Sequence, residues 1–119
     1  MNWEQILGQE NLKTLLRDSI ANNRVSHAQL FIGKEGYGTL PLAMAFAKEI
    51  FRKENEHSSS KVEHLNHLDL HFSFPVFKEK SSGLSDNFLE NFREMILANP
   101  YANNEDWTKI LESENKQLT

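Results

Sequence analysis

The sequence predicts an α/β fold, in which helices flank a parallel sheet. A short apolar run, residues 28–32, leads into a glycine-rich loop, and that loop leads into a helix with one apolar face. A second segment with strand periodicity, residues 68–77, follows the helix. Strands that alternate with helices are typical of parallel sheets, because each helix carries the chain back across the sheet.

The first two elements are a helix and a strand. Apolar residues recur at helical spacing between residues 9 and 22, and Asn22-Asn23 supplies a stop. They are Leu12, Leu15, Leu16 and Ile20. Residues 29–32 are too few for a helix and lie directly before Gly33, so they predict a buried strand.

The next helix is expected to begin at Thr39 as N-cap, with Pro41 tolerated in its first turn. Its apolar residues continue to about Lys53. The polar residues 52–66 then predict a loop or a short helix.

The second half begins with the predicted strand 68–77, where apolar and polar residues alternate and Pro75 limits pairing. A linker at 78–83 precedes a helix from Ser85 to about residue 98, where Asn99-Pro100 stops it. A shorter helix is expected over 104–114. Two strands make a poor sheet alone. We therefore expect residues 1–119 to be an incomplete, N-terminal portion of a larger domain.

Composition narrows the class of protein. The chain has 119 residues, 39% of them hydrophobic and 25% charged, with no cysteine. Disulfides and thiolate metal sites are therefore excluded. No apolar run approaches the roughly 20 residues of a membrane helix, and the N-terminus lacks a signal-peptide pattern. We expect a cytoplasmic protein with no membrane partner.

The charge distribution argues against strong nucleic-acid binding by this chain alone. The formal net charge is −4, and the last 39 residues carry three basic against seven acidic side chains. No stretch forms a basic stripe that would grip phosphates. The aromatic residues of 72–92 are accordingly expected to be core rather than base-stacking platforms.

The glycine-rich loop, residues 33–40, is the main candidate site. A working phosphate-binding loop ends in Gly-Lys followed by Ser or Thr. Here Thr39 stands at the lysine position and Leu40 at the hydroxyl position. The candidate, degenerate nucleotide-binding residues are Gly33, Gly36, Gly38 and Thr39. We predict no catalytic residue and no ATP hydrolysis, while residual ATP or ADP binding through backbone amides stays open.

A group of histidines forms a second candidate site. His57, His64, His67 and His71 fall within fifteen positions. A metal site usually needs three or four converging ligands with fixed partners behind them. We expect these side chains to make local hydrogen bonds, and we predict no zinc or other metal.

A family resemblance joins these features. Residues 3–9 resemble the box that opens AAA+ clamp-loader subunits, and residues 24–31 resemble their run into the first strand. With the loop that follows, the chain resembles the N-terminal part of the delta-prime subunits of bacterial DNA polymerase III. Residues 67–76, 99–101 and 114–117 resemble the Bacteroidetes form of that family.

The resemblance implies a role and a set of site residues. Its box would place Ile6, Leu7, Gly8 and Gln9 near an adenine pocket. Members of the family are rigid subunits with a defective phosphate loop, in a five-subunit complex that loads the sliding clamp on primed DNA. The implied partners are the gamma/tau and delta subunits, with the clamp and the primer–template DNA reached through the complex.

The chain departs from the family pattern in three ways. Many relatives bind zinc through four cysteines, and residues 54–62 here contain none. The acidic second nucleotide motif and the Ser-Arg-Cys arginine are expected beyond residue 119, so neither is assigned to a residue. Two other interpretations stay open: a small P-loop ATPase or kinase that uses a displaced lysine, Lys34, or an interaction module of another AAA+ protein.

Overall fold

The computed structural model describes residues 2–55, 61, 67, 69–74 and 88–118, with the backbone alone for 112–118. A 3₁₀ turn, Trp3–Gln5, precedes four described helices. They are α1 (Glu10–Ala21), α2 (Thr39–Glu54), α3 (Leu89–Ala98) and α4 (Asn104–Leu118). The linker predicted at 78–83 and the helix start predicted at Ser85 lie outside the described residues.

The predicted α/β fold with a parallel sheet is wrong for the part of the chain that the structure describes, which is helical and holds no strand. Residues 29–32, expected as a buried strand, form irregular backbone in which Leu30 and Ile32 are 83% and 85% exposed. A strand needs a second backbone to receive its hydrogen bonds. No described segment pairs with this one, so the apolar run alone does not make a strand.

The second predicted strand fails for a related reason. Its described part, residues 69–74, is also irregular. The period-2 pattern nevertheless appears in the burial, because Leu70, Phe72 and Phe74 are half-buried while Asp69 and His71 are exposed. The three apolar side chains pack against helices. Alternation here indicates a segment with one covered face, not a member of a sheet.

One hydrophobic cluster joins the N-terminal turn, α1 and α2. Ile6 is 2% exposed, and Phe31 and Ile50 cover the edge of the cluster. Its buried members are Trp3, Ile6, Leu16, Ile20, Leu42, Ala45 and Phe46. The helical spacing predicted for α1 is confirmed at Leu16 and Ile20, which face α2, whereas Leu12 and Leu15 are exposed.

A second cluster lies between α2, α3 and α4. Phe92 is its centre, with its ring stacked on Phe74 at a centroid distance of 4.4 Å and edge-on to Trp107 at 5.6 Å. Its buried members are Met44, Phe88, Phe92, Ile96, Trp107 and Leu111. The prediction that the aromatic residues of 72–92 form core is confirmed for Phe72, Phe74, Phe88 and Phe92, while Phe77 lies outside the described residues. Since α2 contributes to both clusters, the loop before it lies where they meet.

The helix ends follow local chemistry. Gly38, with φ 87°, caps α2, so Thr39 is the first helical residue and the prediction of Thr39 as N-cap is wrong. Glycine takes that place because it tolerates the left-handed conformation. α4 begins with a reciprocal pair, in which the Asn103 amide donates to Asp106 and the Asp106 amide donates to Asn103. No helix in the described ranges is long and apolar enough to cross a membrane.

Candidate functional site

The glycine-rich loop bends the chain into α2. Gly36 and Gly38 have φ angles of 81° and 87°, which residues with a side chain disfavour. Gly33 is constrained differently, because a Cβ there would collide with Thr39 Oγ1. The four predicted nucleotide-binding residues therefore lie in one bend. Backbone conformation favours glycine at positions 36 and 38, and the Thr39 side chain leaves no room for a Cβ at position 33. That they hold a nucleotide stays a prediction.

The first turn of α2 offers few groups to a phosphate. Amides at a helix N-terminus attract anions. Pro41, the third residue of α2, has no N–H to offer, and the Leu42 N–H donates to the Gly38 carbonyl at 3.0 Å. The turn can therefore present at most the amides of Thr39 and Leu40.

Thr39 and Leu40, which the sequence predicted at the cation and magnesium positions of a phosphate loop, contact other parts of the protein. The Thr39 hydroxyl lies against Gly33. Leu40 packs against the second hydrophobic cluster. Lys34, the displaced lysine considered above, is exposed at the start of a turn, where its carbonyl accepts the Tyr37 N–H at 3.2 Å.

The box of residues 6–9 reverses the chain into α1. Ile6 is buried, Leu7 is exposed, and Gly8 and Gln9 follow with φ angles of 70° and 61°. Two consecutive left-handed residues turn the backbone sharply. Lys13 then ties the box to α1, because its Nζ donates to the Ile6 carbonyl at 2.6 Å.

The box and the loop line two different cavities. Gly33, Gly36, Gly38 and Thr39 border a cavity of about 560 Å³. Its other walls are largely apolar and include Phe31, Phe72, Phe74, Phe92, Ile96 and Trp107. Ile6, Leu7 and Gly8 border a smaller cavity of about 400 Å³ beside Lys13 and Arg17. The predicted adenine-pocket box and the predicted nucleotide loop therefore border separate spaces in the described residues.

Tyr101 connects the box to the glycine-rich loop, and sequence reasoning did not identify it as a site residue. It lies in the turn between α3 and α4. Its hydroxyl accepts the Leu7 N–H at 3.1 Å, and its ring packs against Gly38. The Asn99-Pro100-Tyr101 run was the available signal, since it marked a turn without indicating what that turn would contact.

The local hydrogen bond predicted for the histidines is found at His67, whereas His71 is exposed. His67 Nδ1 accepts the Asp69 N–H at 3.0 Å, and the His67 ring packs on Phe51 at a centroid distance of 4.2 Å. Across the described ranges, no group of three or more His, Asp or Glu side chains is placed to hold a metal. His57 and His64 lie outside the described residues.

Comparison with known proteins gives one consistent result. The family profile described as "DNA polymerase III, delta subunit" matches residues 8–117. The DNA polymerase III subunit delta' of Bacillus subtilis (strain 168) is 31% identical over 113 residues, covering 82% of this chain and 34% of the relative. The chain thus spans about a third of the length of this curated relative. No solved structure gives a significant match.

Proposed function

Because the chain belongs to the delta-type subunit family of DNA polymerase III, we propose that it is part of a delta-prime-type clamp-loader subunit that does not hydrolyse ATP. It acts in the cytoplasm, as a rigid member of the complex that places the sliding clamp on primed DNA. Its partners are the gamma/tau motor subunits and the delta subunit. The clamp and the primer–template DNA are reached through the complex.

The proposal depends mainly on the identity and the contacts of Thr39 and Leu40. A nucleotide loop accelerates phosphoryl transfer by holding the phosphates with a lysine and the magnesium ion with a hydroxyl. Thr39 has no positive charge and lies against Gly33, and Leu40 packs into an apolar cluster. Both positions therefore lack the groups that would neutralise charge as the phosphoryl group moves.

The absence of strong positive charge fits a subunit that contacts DNA through others. The chain carries 13 Lys and Arg against 17 Asp and Glu. Lys13 is buried and Lys53 donates to the Ile20 carbonyl at 2.6 Å, so part of the basic set is engaged within the protein. Weak, salt-sensitive binding of DNA by the isolated chain is expected.

The test of the catalytic part is ATP turnover with magnesium, measured as phosphate release by the purified chain and by its Lys34→Ala variant. We expect neither protein to release phosphate above the buffer background. Turnover that is present in the wild type and lost in Lys34→Ala would instead establish an ATPase with a displaced lysine, and would contradict the proposal.

The test of the assembly part is reconstitution. The protein is mixed with gamma/tau and delta subunits, and complex formation is followed by size-exclusion chromatography, then clamp loading on primed DNA. We expect a complex whose loading activity is the same with the wild type and with Lys34→Ala. A chain that joins no complex would remove the clamp-loader role, even if it also hydrolyses no ATP.

A further inference from the structure

The ring of Tyr101 packs against Gly38, a contact that the proposed clamp-loader role does not explain. The residue belongs to the turn between α3 and α4, far from the loop in sequence. Its Cε1 lies 3.2 Å from the point that a Gly38 Cβ would occupy, and its hydroxyl oxygen lies 3.5 Å from the same point. An ordinary van der Waals contact to carbon is longer than 3.4 Å. A side chain at residue 38 would therefore push the ring away by a few tenths of an ångström, and glycine permits the closer fit.

The turn that carries Tyr101 is held by its own hydrogen bonds. Asn99 Oδ1 accepts the Tyr101 N–H at 3.1 Å, and the Asn99 carbonyl accepts the Ala102 N–H at 3.0 Å. Pro100 fixes one backbone angle between them. The ring is thus presented to the loop by a braced turn, and its position does not depend on the Gly38 contact alone.

The far end of the Tyr101 side chain is also engaged. The phenol oxygen accepts the Leu7 N–H at 3.1 Å, across 94 positions of sequence. One side chain therefore spans from the glycine loop to the box at residues 6–9. By the resemblance, these are the two segments expected near the phosphates and the adenine base of a nucleotide.

Gly38 is buried although it was predicted as a nucleotide-binding residue. In a working loop, the backbone around the glycine before the lysine lies against the phosphates. Here the tyrosine ring covers Gly38, and it also borders the cavity of about 560 Å³ onto which the loop opens. A phosphate group that approached Gly38 from this side would have to displace the ring.

We propose that Tyr101 is an internal cover of the glycine loop, which closes Gly38 to phosphate-bearing ligands and ties the loop to the box through Leu7. The cover belongs to the chain itself and is independent of whether the subunit enters a clamp-loader complex. This effect is separate from the missing lysine, because the ring blocks the path of a ligand to Gly38, whereas the missing lysine removes a positive charge.

The experiment compares ADP and pyrophosphate binding by the wild type, Tyr101→Ala, Tyr101→Phe and Leu97→Ala, using isothermal titration calorimetry. Leu97 is 51% exposed on α3 and serves as the matched control on the same hairpin. If the cover is open about a tenth of the time or less, its removal raises the apparent affinity by about tenfold or more. We expect that gain in Tyr101→Ala and little change in Tyr101→Phe or Leu97→Ala.

Two results would overturn the proposal. One is a folded Tyr101→Ala protein, checked by circular dichroism, with no gain for either ligand. The other is wild-type binding as tight as that of Tyr101→Ala. Amide hydrogen exchange gives an independent readout should Tyr101→Ala not fold: Tyr101→Phe should speed exchange at Leu7, since it removes the phenol acceptor. Unchanged Leu7 exchange in that variant would show that the tie to the box does not exist.

Discussion

The Lys13 amine is buried and donates to the Ile6 carbonyl at 2.6 Å, which fixes the N-terminal box to the first turns of α1. The Lys13 side chain is 9% exposed, and its partner carboxylate, Glu10, is 80% exposed. The hydrogen bond from Lys13 to the Ile6 carbonyl is therefore buried, whereas the ion pair with Glu10 is exposed to solvent. A charge this deep is tolerated because it is hydrogen-bonded.

The first prediction concerns this lysine. Lys13→Met removes the donor and leaves the Ile6 carbonyl unsatisfied, which should lower the free energy of unfolding by about 1–3 kcal/mol. Urea denaturation followed by tryptophan fluorescence measures it. Lys109→Met, at an exposed position of α4, is the matched control and should change stability by less than about 0.5 kcal/mol. Equal effects of the two substitutions would refute a structural role for Lys13.

The second prediction tests the centre of the aromatic cluster. Phe92 is 8% exposed and contacts the rings of Phe72, Phe74 and Trp107. Phe92→Ala should cost about 3–5 kcal/mol of unfolding free energy, because it removes ring contacts and leaves a cavity. Tryptophan emission should also shift to longer wavelength as Trp107 becomes wetter. A loss as small as that of Leu97→Ala would show that Phe92 does not organise the cluster.

The third prediction compares two glycines of the loop. Gly36 and Gly38 share a positive φ, but a Cβ would meet open space at Gly36 and the Tyr101 ring at Gly38. Gly36→Ala should cost about 1–2 kcal/mol from backbone strain alone. Gly38→Ala should cost measurably more in the same urea denaturation experiment. In the background of Tyr101→Ala that excess should vanish, since residues in contact are not additive. If Gly38→Ala still costs more than Gly36→Ala in the Tyr101→Ala background, contact with the Tyr101 ring is not the cause of the difference.

The fourth prediction is a pH dependence at Glu49. The Arg52 guanidinium donates to this carboxylate at 2.7 Å and holds the pKa of Glu49 below its ordinary value. A lowered pKa in the folded state stabilises above the unfolded pKa, and that stability is lost as pH falls through the folded value. Glu49→Gln should therefore cost about 0.2–1 kcal/mol at neutral pH, as for other partly exposed pairs.

The same substitution should become nearly neutral well below the ordinary glutamate pKa of about 4.3. Thermal unfolding of both proteins at several pH values measures the difference. Arg52→Gln should show the same convergence at low pH, because it removes the other half of the pair. A stability difference between the wild type and Glu49→Gln that is constant with pH would exclude an electrostatic origin.

The helices were predictable because their signals are local. The apolar spacing in residues 9–22 and the Asn99-Pro100 stop act within a few residues of where they stand, and α1 and α3 end where the sequence indicated. The sheet was not predictable in the same way. The run at 29–32 has the composition of a strand, but a strand exists only with a partner, and the described residues provide none.

The candidate site also has features that the sequence predicted and features that depend on contacts between distant residues. The resemblance was visible in the sequence, and the family comparison confirmed it. That Thr39 and Leu40 replace the lysine and the hydroxyl of a phosphate loop stays a prediction. The Bacteroidetes detail stays a prediction. The burial of Gly38 could not be predicted from the sequence, because it depends on the ring of Tyr101, which is 63 positions away in the chain.

The sequence by itself determined the family of this protein and the positions of its described helices. These follow from residue identity and short-range periodicity. The tertiary structure alone decided that the loop and the box line separate cavities, that no described segments form a sheet, and that Tyr101 closes onto Gly38. Contacts between distant segments decide such features, and their geometry depends on how α2, α3 and α4 pack together.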